Sequence, residues 1–97
     1  MTSGGTVELP RVGGPGSGLS DSWRVIVLND NHNTFEGVAS ALSRVLPSVS
    51  YETGMKLANQ IHGSGRAIVW SGPQEPAEHY WELLKDAGLT MAPLEQG

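Results

Sequence analysis

Cysteine is absent from the sequence, which excludes a disulfide framework and any thiolate metal site and fits a reducing compartment. Basic residues are few: six Lys and Arg against ten Asp and Glu, a net charge of -4. A nucleic-acid surface needs clustered cations to displace counterions. Here the six are scattered from Arg11 to Lys85, so no nucleic-acid partner is expected. No apolar run approaches the ~20 residues of a membrane-spanning helix, so no membrane partner is expected either. The opening residues lack the charged, apolar and small-residue succession of a signal peptide. Hydrophobic residues are 38% and aromatics 6% of the 97 positions, which limits the core to that of one small domain.

What is present is unevenly spread. Residues 1–22 hold six of the 13 glycines and two of the six prolines, with "GGPGSG" among them. This is linker composition, so 1–22 is expected to be a disordered tail and 23–97 the folded unit. "GGPGSG" is not a dinucleotide fingerprint, because no strand precedes it and no helix follows it.

From residue 23 the patterning is that of a small α+β domain. "WRVIVL" reads as a buried strand, and residues 35–46 as a helix with Phe35, Val38, Ala39, Leu42, Val45 and Leu46 on one face. Asn33 is its expected N-cap, with Glu36 completing a capping box. Pro47 ends it, because the residue before proline avoids the α region. A second helix starts near Ser50 and stops at "HGSG", with Met55, Ala58, Ile61 and His62 on one face. "RAIVW" is the second strand. The third helix is expected over about 76–87, with Ala77, Tyr80, Trp81, Leu84 and Ala87 inward and Glu75, Glu78, Glu82 and Asp86 outward. Residues 89–92 form a short third strand ended by Pro93. The order is β-α-α-β-α-β: a three-stranded sheet covered on one face by three helices, with strand directions left open.

The stretch "LNDNHNT" then stands out. Six consecutive polar residues, Asn29 to Thr34, separate the first strand from the first helix, where one or two would make the turn. Asp30 with His32 or His62 admits a small acid–base enzyme, and Asp30, His32 and His62 a metal site, although no ligand spacing supports one. A histidine in a helix's last turn also has a plain role, since it favours the helix dipole. If the first two helices fold as a hairpin about Pro47, the polar loop and His62 rim one groove. Phe35, Val38, Ala58 and Ile61 are its floor. A carboxylate, amides and a neutral imidazole above an apolar floor suit a primary ammonium with an apolar side chain, as at the N-terminus of a peptide.

The order and spacing of "LND", "NTFEGVASAL", "QIHGSGRAIV", "GPQEPAEHY" and "AGLTMAPLE" resemble the ClpS adaptor family, in its cyanobacterial and plastid form, over about residues 23–95. The resemblance implies a non-enzymatic adaptor without cofactor. It would bind the free α-amino group and bulky first residue (Phe, Leu, Tyr or Trp) of N-degron substrates and hand them to a Clp-type AAA+ unfoldase. Asn29 and His62 match the family's amine-contacting positions. Asp30 matches the first acid of its usual Asn-Asp-Asp, and Asn31 departs from the second. Asn33, Phe35, Val38, Ala58, Ile61 and Thr90 match pocket-lining positions; Phe35 and Ala58 stand where many members carry methionine. Glu75 and Glu78 align with the segment that docks the unfoldase N-terminal domain, and Tyr80 stands there where some members have lysine. His32 receives no role. The implied location is the cytoplasm, or the plastid stroma in a plant.

Overall fold

The computed structural model describes residues 22–97; the tail expected over 1–22 therefore lies, Ser22 apart, outside the described residues. Strand β1 (Trp23–Leu28) is central. Its β-branched middle, Val25, Ile26 and Val27, is fully buried; successive side chains point to opposite faces of the sheet, so both faces are covered here. Strand β2 (Arg66–Gly72) runs antiparallel along one edge, from Trp23 opposite Gly72 to Leu28 opposite Arg66. The register slips between Val25 and Ile26, which face Trp70 and Ile68. The extra residue, Val69, makes a bulge, and in consequence both Val69 and Trp70 reach the core.

The other edge of β1 holds β3 (Thr90–Met91) and β4 (Glu95–Gln96), both antiparallel to it. The sheet thus has four strands where three are expected from the sequence. Proline has no N–H to donate and breaks the ladder at Pro93, as the sequence indicates, but the chain stays alongside β1 and pairing resumes two residues later. Arg24 and Glu95, directly opposed in that pairing, are also joined by an ion pair of 3.2 Å.

Helix α1 (Phe35–Val45) has Thr34 as its N-cap, not Asn33. Thr34 is extended and its Oγ1 accepts from Gly37 N–H at 2.9 Å; Asn33 is unavailable, because its amide is bonded elsewhere. Helix α2 (Tyr51–Ser64) is capped by Ser50, whose Oγ accepts from Thr53 N–H, and closes at Gly65 in the left-handed conformation (φ 90°). Near its start α2 lies so close to α1 that a Cβ on Gly54 would stand 2.8 Å from the Ala39 carbonyl oxygen. Helix α3 (Gln74–Asp86) begins earlier than expected, since Pro76 is tolerated within a first turn that needs no N–H donors. Ala87, expected inward, is exposed at the C-cap. The chain turns at Gly88 (φ 97°), and Leu89 fills the core position in its place. Val25, Val27, Ala67 and Val69 of the sheet share one apolar cluster with Val38, Leu42, Ala58, Ile61, Ala77 and Leu84 of the three helices.

Candidate functional site

Phe35 opens α1 and His62 lies in the last turn of α2, yet their ring centroids are 5.1 Å apart and the rings meet edge to face at 62°. The two helices are therefore an antiparallel hairpin. Beside this pair is a cavity of about 210 Å³, enough for one large side chain. It brings together Asn29, Asp30, Asn31 and His62 with Asn33, Phe35, Val38, Ala58, Ile61 and Thr90. Four further residues line it that sequence reasoning leaves out: Val27, Leu28, Thr34 and Leu89. The first two are the inner end of β1, and their adjacency to the polar loop was a usable signal. Leu89 had none, because its inward turn depends on the positive φ of Gly88.

The polar residues around the cavity fall into two groups. Asp30 is turned inward. Its Oδ1 accepts from the backbone N–H of His32 (3.0 Å) and of Asn33 (2.8 Å), and its Oδ2 from Asn33 Nδ2 (2.7 Å) and the Thr90 hydroxyl (2.7 Å). Asn33 Nδ2 also donates to the Gly88 carbonyl at 2.9 Å. Burial by itself would raise the Asp30 carboxyl pKa. The bonds from Asn33 N–H, Thr90, the Asn33 amide and His32 N–H outweigh it and hold the group well below the usual carboxylate range. The carboxylate so ties the loop to β3, and Asn33 ties it to the turn after α3. The second group is Asn29, Asn31 and His62. All three are exposed, and among the described residues none of their side chains makes a hydrogen bond, although the Asn29 backbone N–H donates to the Gly65 carbonyl at 2.9 Å. Two amides and an imidazole at the mouth of an apolar cavity are thus available to a ligand.

His32 is not part of the cavity lining; its N–H serves Asp30, and its ring, 69% exposed, lies 3.7 Å from that carboxylate. Glu75 and Glu78 are exposed on α3, away from the cavity, and Glu78 accepts from Gln74. Tyr80 is half-buried with its ring against Trp70 at 5.0 Å, so its side chain serves the core at least in part.

The arrangement is poorly suited to acid–base catalysis through Asp30, since a carboxylate held so acidic by four donors is a weak proton acceptor. Among the described residues no three His, Asp or Glu side chains converge as a metal site would need. The dipole ends of α1 and α2 are opposed at the cavity, so side chains decide its preference for charge.

The model of the family described as "ATP-dependent Clp protease adaptor protein ClpS" matches residues 19–95. A Clp protease adapter protein ClpS from Nostoc sp. is 54% identical over 74 residues, 76% of this chain and 76% of that protein. One from Synechocystis sp. is 49% identical over 75 residues, 77% and 76% of the two chains. The chloroplastic adapter CLPS1 of Chlamydomonas reinhardtii is 32% identical over 94 residues, 90% of this chain and 58% of the relative. Among solved structures, Agrobacterium tumefaciens ClpS2 bound to L-phenylalaninamide superposes with a TM-score of 0.71 at 26% identity, covering 80% of this chain and 99% of that one. With this cavity on this fold, the chain belongs to the ClpS family of adaptors of the ATP-dependent Clp protease.

Proposed function

We propose that the cavity receives the first residue of an N-degron substrate, its α-ammonium at the rim and its apolar side chain within, and that the protein carries this substrate to a Clp-type unfoldase. One observation carries the reading: three uncommitted acceptors, Asn29, Asn31 and His62, stand over a floor of Val27, Phe35, Val38, Ala58, Ile61 and Leu89. An ammonium is a donor only, so it needs acceptors without internal partners. Phenylalaninamide, the ligand of the Agrobacterium relative, has this chemistry: a free amine beside a bulky apolar group. Asp30 supplies negative charge from beneath the rim and holds the loop in shape. Asn33 and Thr90 line the cavity while bonded to Asp30.

Peptides starting with Phe, Leu, Tyr or Trp are expected to bind, with the Phe35 ring in the lining favouring flat aromatics over Leu. The exposed acids Glu75 and Glu78 on α3 stand clear of the cavity, which suits docking to the unfoldase N-terminal domain while substrate is held. Among the described residues no helix is long and apolar enough to cross a membrane; we place the protein in the cytoplasm, or in the stroma if its source is a plant. The test is a titration of short peptides that differ only in their first residue, with and without N-terminal acetylation. Burying a Phe side chain contributes about 1.5–3 kcal/mol, so Phe-started peptides should bind at least tenfold, roughly, more tightly than Gly-started ones. Acetylation should abolish binding. Equal affinity for Phe and Gly starts would remove the cavity from the reading.

A further inference from the structure

His62 is an exposed side chain in the last turn of a helix, and among the described residues its ring nitrogens have no hydrogen-bond partner. Its neighbours on the same face of α2, Ala58 and Ile61, carry no polar group. A free imidazole in such a place samples several rotamers, and a ligand that needs one of them must select it. One contact restrains it. The Phe35 ring meets the imidazole edge to face, centroids 5.1 Å apart at 62°, within the range such pairs favour. The Phe35 ring itself packs against the core cluster, and its backbone is fixed by the helix cap. Phe35 is the first residue of α1, directly after Thr34, whose Oγ1 accepts from Gly37 N–H and whose carbonyl accepts from Val38 N–H, each at 2.9 Å.

We propose that Phe35, besides lining the cavity, is a positioning residue for His62, its ring holding the imidazole at the rim where an α-ammonium is received. This rests on the function proposed above. An apolar residue that merely lines the cavity acts on the side chain of the bound first residue. One that positions His62 acts on recognition of the amine, so the two roles separate by ligand.

The experiment titrates two peptides of identical sequence, one starting with Phe and the other with 3-phenylpropanoyl, which lacks the amine and adds no bulk. The ratio of their affinities measures amine recognition. It is unaffected by partial unfolding of a variant, which lowers both affinities alike. In Phe35→Leu the ratio should fall about three- to tenfold, the span of an aromatic pair of this geometry. Phe35→Tyr, which keeps the ring, should retain it. In a His62→Ala background, Phe35→Leu should leave the ratio unchanged. Equal weakening of both peptides in Phe35→Leu, with the ratio preserved, would overturn the positioning role, as would independent effects of the two substitutions. A ratio near one in the parent protein would instead sink the amine reading itself.

Discussion

Asp30 and Asn31 are adjacent, polar and close to isosteric, yet the structure uses them in opposite ways. Asp30 gathers four hydrogen bonds from His32, Asn33 and Thr90. Asn31 makes none among the described residues, is exposed, and faces the same cavity. Asn33 belongs with the first, bonded to Asp30 and to the Gly88 carbonyl, while Asn29 and His62 belong with the second. A polar loop thus has an inner side that makes its shape and an outer side that is left for a ligand. Composition does not distinguish them; the presence of an internal partner does.

The comparison breaks if the inner side can be removed without structural cost. Asp30→Ala strands two backbone N–H groups, the Asn33 amide and the Thr90 hydroxyl. It should destabilise the fold by about 2–4 kcal/mol, read as a lower urea midpoint. Asn31→Ala or Asn29→Ala should stay within about 0.5 kcal/mol of the parent while still weakening binding of a Phe-started peptide. Acid sharpens the contrast. The folded-state pKa of Asp30 is depressed, so its contribution is present above the unfolded value of about 3.9 and is lost as pH falls below it. Unfolding midpoints measured from neutral pH to acid should therefore fall more steeply in the parent than in Asp30→Asn. Parallel profiles would show that the carboxylate is not the anchor.

A smaller effect is expected at the far end of the same tie. Thr90→Val keeps the shape of the side chain and its apolar contact with the cavity but removes the hydroxyl that donates to Asp30. Loss of one hydrogen bond to a charged group should cost about 1.5–3 kcal/mol at most, and Thr90→Ser should restore most of it. If Thr90→Val is as stable as the parent, the bond across to β3 contributes little and the loop holds its shape locally.

Much of this was legible in the sequence, for definite reasons. The β-branched run located β1 to within a residue, its end open between Leu28 and Asn29, and Ser50 with the glycines of "HGSG" bounded α2 through cap chemistry, although the helix passes through Gly63 and closes at Gly65. The apolar periodicity of residues 35–46 and 50–62 was enough to bring Phe35, Val38, Ala58 and Ile61 to one place. The cap of α1 was misread because Asn33 and Thr34 are both good caps. The choice falls to Thr34 through a bond from Asn33 to Gly88, 55 residues away in sequence, which local pattern cannot show. The inward turn of Asp30 was hidden for the same reason, since Thr90 is 60 residues distant. The bulge at Val69 and the resumption of pairing after Pro93 likewise depend on the neighbouring strand rather than on their own residues.

The smallest expected effect tests the outer side. Asn31→Asp leaves an acceptor in place and adds a charge. At a rim with an effective dielectric near 20, an ion pair at about 4 Å is worth up to ~4 kcal/mol before desolvation and screening. Exposed pairs retain about 1 kcal/mol or less of this, so a Phe-started peptide should bind about fivefold more tightly at most. Raising the salt concentration should erode the gain, because the added attraction is Coulombic and lies at an exposed site. Stability should change by no more than about 0.5 kcal/mol, since the neighbouring Asp30 charge is already matched by its four donors. Asp30→Asn should in contrast lose stability and binding together, because it removes the loop's charge and turns one of two accepting oxygens into a donor that faces donors. Titrations of the parent and both variants at low and high salt, each with an unfolding curve, give the answer. Tighter binding at unchanged stability places residue 31 at the amine; unchanged or weaker binding would mean that it faces solvent instead, and that Asn29 and His62 hold the amine without it.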